Sequence, residues 1–98
     1  MQYNVLTVIT DLKGEELKKP SGESFLFKDA ILMALLEDAD KNKNASIEHK
    51  IRDYKLASRV ANHDVLDLTL EERVYLKERI GAYFMPLIVG KFSEFIGE

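Results

Sequence analysis

At residue 28 the apolar residues change period, and that change limits the folds open to the chain more than any other feature. Before it, residues 3–10 are rich in β-branched and aromatic types (Tyr3, Val5, Thr7, Val8, Ile9, Thr10), which favour extended backbone. After it, Ile31, Leu32, Leu35 and Leu36 recur at helical spacing, with Ala30 and Ala34 between them. The expected fold class is therefore α+β and mainly α. Residues 1–27 would form a short N-terminal β-hairpin or meander, and residues 28–98 three to four packed helices.

Turn chemistry divides the front segment. Asp11, Lys13 and Gly14 supply a tight turn, residues 15–19 return as a second short strand, Pro20, Ser21 and Gly22 turn again, and residues 24–27 make a third extended piece. Lys18, Lys19 and Pro20 discourage further pairing on an open edge.

The first helix is apolar over more than half its girth, which places it in the core centre or between two subunits. A polar loop follows over residues 37–44. Ser46 serves as an N-cap for a second helix with Glu48 in its first turn, and Ile47, Ile51, Tyr54, Ala57 and Ala61 are its expected apolar side. Asn62, His63 and Asp64 supply the stop. Thr69 and Glu72 form a capping box that opens a third helix, whose expected apolar side is Leu70, Val74, Leu76, Ile80, Tyr83 and Phe84. Gly81 weakens that helix by about 1 kcal/mol relative to alanine. Pro86 breaks it near Phe84 and Met85 and suits the first turn of a last helix, 86–96, with Val89, Phe92 and Ile96 on one face and Gly90 open to a neighbouring backbone. Neither an internal repeat nor a linker is visible, so residues 1–98 are expected to form a single domain.

Cysteine is absent, which excludes disulfides, thiolate zinc sites and cysteine nucleophiles. The longest apolar stretch, residues 83–90, is far below the roughly 18–20 residues of a membrane span, and no basic and then apolar leader opens the chain. The expectation is a cytoplasmic protein without membrane association. The net charge of −3 divides unevenly: residues 1–40 sum to −4, residues 41–63 to +4 and residues 64–98 to −3.

Chemical candidates are few. The alternating Asp38, Asp40, Asn42 and Asn44 have the oxygen spacing of a calcium loop, but Lys43 and His49 stand where its turn glycine and final bidentate acid belong. His49 and His63 would lie roughly 20 Å apart on one continuous helix, too far to share a metal, and His63 suits a helix-terminal cap. With no nucleophile or oxyanion loop beside them, no catalytic, cofactor or metal residues are assigned. Lys50, Arg52, Lys55 and Arg59, with Lys41 and Lys43 nearby, form a basic stripe that could follow a phosphate backbone or be neutralised by the acidic flanks. The apolar tail, containing Phe84, Met85, Leu87, Ile88, Val89, Phe92, Phe95 and Ile96, either completes the monomer core or makes a subunit contact. A homodimer built on it is the expectation.

The order of motifs also carries a likeness. An Asp-x-x-Gly turn (Asp11 to Gly14) precedes Leu26-Phe-Lys-Asp29 and an Ala34-Leu35-Leu36 helix; then come Tyr54-Lys-Leu-Ala57, Asp67-Leu-Thr-Leu-Glu-Glu72 and Pro86-Leu-Ile-Val-Gly90. This succession resembles small proteins encoded by tailed bacteriophages and prophages. It departs from them at Phe27, where a hydroxyl N-cap usually precedes the position of Lys28. The resemblance implies a phage origin and residence in bacterial cytoplasm or virion. Its motifs are packing and capping signals, so it transfers no catalytic residue. The function expected is that of a non-catalytic phage accessory protein that acts in assembly or host takeover by binding itself, a phage protein or a host protein. The alternative is a nucleic-acid-binding regulator using the basic stripe, and a small hydrolase or metal enzyme ranks third.

Overall fold

In a computed structural model, which describes residues 2–37 and 47–97, the chain forms β1 (Gln2–Asn4), α1 (Phe27–Leu36), α2 (Ile47–Asn62), β2 (Val65–Asp67), α3 (Leu70–Tyr83) and α4 (Pro86–Ile96). The fold is α+β and mainly α. β1 pairs antiparallel with β2, Tyr3 opposite Leu66, so these two buried residues face the core while their neighbours face water. β2 occupies a stretch that reads in the sequence as a mere connection between helices. Asn4 ends β1 by accepting from Leu6 N–H through its side chain, at 3.0 Å, and from the Thr7 hydroxyl through its carbonyl, at 2.7 Å.

The three extended pieces of the front segment are present, but they close on one another. Thr10 bridges Glu16, Lys18 bridges Ser24 and Val8 bridges Leu26. At the centre Ile9 N–H donates to the Phe25 carbonyl (2.8 Å), Phe25 N–H to that of Leu17 (2.8 Å), and Leu17 N–H to that of Ile9 (2.9 Å). Each piece is thus bonded to both others, an arrangement that leaves little edge to recruit a foreign strand. The turns match: Gly14 N–H donates to Asp11 O and Gly22 N–H to Lys19 O, with both glycines at positive φ. An eight-residue period, Ile9, Leu17 and Phe25, therefore exists in space, although Gly14-Glu15 and Gly22-Glu23 are its main trace in the sequence.

α1 starts at Phe27 without a hydroxyl cap. Asp29 substitutes by accepting the Leu26 N–H at 3.0 Å. Phe27, Ala30, Ile31, Ala34 and Leu35 are buried, and the helix packs against both α2 and α3, so it takes the central place within the monomer. Lys28 Nζ reaches Asp64 Oδ1 at 3.1 Å and fixes the start of α1 to the end of α2.

The capping box of α3 is formed: Thr69 Oγ1 accepts from Glu72 N–H at 3.1 Å and Glu72 Oε1 from Thr69 N–H at 2.9 Å. Phe84 and Met85 are extended, as a residue before proline prefers, and Pro86 opens α4. α4 then lays Ile88, Phe92 and Ile96 into the core. The Phe27 and Phe95 rings stack at 4.1 Å, and the Tyr3 hydroxyl donates to the Ile96 carbonyl at 3.1 Å. The apolar tail therefore completes the monomer's own core. Of the eight tail residues singled out above, Ile88, Phe92 and Ile96 are buried, Phe84, Leu87, Val89 and Phe95 are half-buried, and Met85 stands out at 69% exposure. Among the described residues no atom lies within 4 Å of a Cβ built on Gly90, so none of their backbone makes the close approach anticipated there.

The helix faces required two corrections. In α2 the buried residues are Asp53, Leu56, Ala57 and Val60, whereas Ile47, Ile51 and Tyr54 are 76%, 47% and 67% exposed. In α3 Leu76 and Ile80 are buried, but Leu70 and Val74 face water. For α2 the cause lies in the side-chain partners of Asp53, which apolar spacing does not register.

Candidate interaction surface on the second helix

The inward side of α2 is organised around a carboxylate. Asp53, nearly buried, accepts a short hydrogen bond from the Tyr75 hydroxyl, and Arg79 Nη2 stands 3.5 Å from its other oxygen. Arg79 also donates to the Ala34 carbonyl at 3.0 Å, joining the end of α1 to α3. His49 Nε2 lies 2.9 Å from the Tyr75 hydroxyl, and the Arg52 guanidinium sits 5.3 Å above the Tyr75 ring. Burial first, and then the bond to Asp53, push the Tyr75 phenol far above its ordinary value. A phenol held protonated this firmly is a hydrogen-bond donor and a poor proton shuttle. The cluster thus works as a polar strut that turns α2 so that Asp53, and not Ile51, points inward.

Beside it, a groove of about 640 Å³ separates α2 from the start of α3 and is bordered by Ile51, Arg52, Lys55, Arg59, Glu71 and Tyr75. Arg59 closes one end. Its two terminal nitrogens meet the two oxygens of Glu72 at 2.7 and 3.1 Å, and one of them also donates to the Asp67 carbonyl at 2.9 Å. The bond between them is the main cause of both shifts, raising the Arg59 guanidinium and lowering the Glu72 carboxyl.

Three of the four basic residues singled out above therefore share the groove flank: Arg52, Lys55 and Arg59. At about 100° per residue, Lys50 falls roughly 160° around the helix from Arg52, on the other flank. Arg59 is already committed to Glu72, which is the internal neutralisation the acidic flanks suggested. His63 is exposed, and its Nδ1 lies 2.9 Å from the Arg59 carbonyl, the helix-end cap expected of it. The calcium-like spacing at residues 38–44, with Lys41 and Lys43, lies outside the described residues. Among the described residues no group of three or more histidines and acids could hold a metal ion, and no helix is long and apolar enough to cross a membrane.

What remains is the outward side of α2. Ile47, Ile51 and Tyr54 occupy adjacent turns there, with half-buried Ser58 and exposed Ala61 continuing the line. Ile47, Ile51, Tyr54 and Ala61 belong, with Ala57, to the side that the sequence reads as apolar and inward, and of the five only Ala57 is buried. The exposure of the other four makes them the functional candidate that sequence reasoning missed. No protein-family model, no curated protein and no solved structure matches the chain.

Proposed function

We propose that the chain is a non-catalytic accessory protein of bacteriophage type that acts by binding protein, and that the outward face of α2 is its binding surface. One observation carries the proposal: Ile47, Ile51 and Tyr54 lie together in water on a helix whose opposite side is already packed on α1. Large apolar side chains grouped on adjacent turns are what a partner's apolar surface can cover. The likeness to small phage proteins supports bacterial cytoplasm or a virion as the setting, and a phage protein, a host protein or a second copy as the partner.

Nucleic acid is a weaker match to the same face. Arg59 is held by Glu72, Arg52 lies over Tyr75, Lys50 is turned away, and Glu48 and Glu71 border the cations that remain. The test is a photoreactive phenylalanine analogue placed at Tyr54 and illuminated in bacterial cells, with the same analogue at Glu94 as the control. A protein adduct at position 54 that disappears when Ile51→Glu is added is the expected result. Adducts to nucleic acid alone, or none at all, would overturn the proposal.

A further inference from the structure

Ile47, Ile51, Tyr54, Ser58 and Ala61 follow one another at alternating spacings of four and three residues, the spacing of the d and a positions of a coiled-coil heptad. In that frame Glu48 and Lys55 both take position e, seven residues apart, and Lys50 and Ala57 both take position g. Glu48 and Lys55 are exposed, and both border the groove, whereas Ala57 is turned into the core. Charge on this seam is therefore decided chiefly on the e flank.

The two ways of pairing such a seam with itself have opposite electrostatic outcomes. In the antiparallel sense e faces e, and the layer that sets Ile51 against the partner's Tyr54 also sets Glu48 against the partner's Lys55. Two-fold symmetry then repeats the contact, Lys55 against the partner's Glu48. Lys50 meets no charge on the g flank, where the partner's Ala57 is turned into its own core. In the parallel sense g faces the e position five residues on, which places Lys50 against the partner's Lys55, twice, with no compensating acid. Lys55 therefore rewards one sense, where it meets Glu48, and opposes the other, where it meets Lys50.

We infer that the outward face of α2 binds the same face of a second copy of this chain, antiparallel, with the two-fold axis passing between Ile51 and Tyr54 and reciprocal contacts between Glu48 and Lys55. This rests on the reading of that face as a protein-binding surface and names its partner. It also differs from a dimer built on the tail, whose large side chains are mostly taken up by the monomer. With three large apolar residues per copy and a helix of 16 residues, the seam is short, so association should be reversible and weak.

Sedimentation velocity across a concentration series tests it. The wild-type chain is expected to shift from monomer to dimer in the micromolar range. Glu48→Lys alone and Lys55→Glu alone should each weaken the dimer about tenfold by creating two like-charge contacts. An equimolar mixture of the two variants should recover wild-type association, because in the mixed dimer both contacts oppose lysine to glutamate. Both positions are exposed, and unchanged circular dichroism checks the fold. A wild-type chain that stays monomeric at its highest soluble concentration overturns the inference, as does a dimer indifferent to both changes or one strengthened by Lys55→Glu, which marks the parallel sense. A monomer that still gives a protein adduct at position 54 ends self-pairing and leaves the protein-binding role standing.

Discussion

Arg59 and Glu72 join the last turns of α2 to the first turn of α3 through a two-pronged contact at 2.7 and 3.1 Å, and the same Glu72 carboxylate closes the capping box on Thr69. One side chain therefore holds a helix start and an inter-helix angle together. Because the pair is partly exposed, it is worth about 0.2–1 kcal/mol, and the cap about 1 kcal/mol. Glu72→Ala should lower unfolding stability by about 1–2 kcal/mol in urea titrations, and Thr69→Ala by about 1 kcal/mol. The depressed Glu72 pKa fixes the sign with pH. Its contribution is complete above the ordinary glutamate range of about 4 to 4.5 and is lost as pH falls through the depressed folded value, because the unfolded chain binds the extra proton. Glu72→Gln should flatten that acid limb; an unchanged limb would mean that the pair carries no net stabilisation.

Asp53 leads to the second expectation. With 7% exposure it is the buried acid that meets Tyr75 and Arg79, and removing it takes away both the acceptor of the Tyr75 hydroxyl and the 3.5 Å ion pair to Arg79, whose side chain is 11% exposed. Asp53→Ala should cost about 3–5 kcal/mol, and Tyr75→Phe about 1.5–3 kcal/mol, since a hydrogen bond to a charged acceptor is lost. The Tyr75 phenol is raised in the folded state, so its contribution is complete below the ordinary tyrosine value near 10 and fades as pH climbs toward the folded value. Ultraviolet titration of the tyrosines should show a late-ionising phenol that Tyr75→Phe removes and Asp53→Asn moves back toward the ordinary range. Tyr83, raised by its bond to Glu37, requires Tyr83→Phe as the control.

These two clusters also mark what the sequence could and could not disclose. Thr69 with Glu72, and Pro86 after Phe84 and Met85, fix helix ends through bonds that are local, so the start of α3, the break after it and the start of α4 are legible in the sequence, whereas the exposure of Leu70 and Val74 on α3 is not. Nor is the orientation of α2. Apolar spacing favoured Ile47, Ile51 and Tyr54 as the inward side, but Asp53 is drawn inward by Tyr75 and Arg79, 22 and 26 positions away along the chain, and periodicity contains no such information. β2 escaped notice for a related reason, because a three-residue strand has its partner at the other end of the chain. The outward face of α2 is visible in the sequence as a pattern, and the side of the helix it takes depends on what the opposite side packs against.

The glycines should respond with opposite signs. Gly14 and Gly22 close the two turns of the front segment at φ of +86° and +92°, with open space where a Cβ would stand, so alanine there meets a dihedral penalty and no clash. Each substitution should destabilise by about 1–2 kcal/mol. Gly81 and Gly90 lie within helices, also with open space around them, and alanine at either should stabilise by about 0.5–1 kcal/mol. Thermal unfolding of the four variants checks this. A loss at Gly90 would indicate a close neighbour on that face of α4.

Phe92 separates the two roles available to the apolar tail. Its ring is 1% exposed and lies 6.3 Å from that of Phe27, which itself stacks on Phe95, so three aromatic side chains from α1 and α4 fill one region of the interior. Truncation removes buried area and leaves a cavity that the surrounding rings cannot fill without leaving their rotamers, and Phe92→Ala should cost about 3–5 kcal/mol. Because the contacts are within one chain, the loss should be independent of protein concentration. A tail that stabilised mainly by joining subunits would behave otherwise, with the midpoint difference between wild type and variant widening as concentration rises. Urea midpoints measured for both proteins over a hundredfold range of concentration distinguish these cases, and a constant difference is the expected outcome.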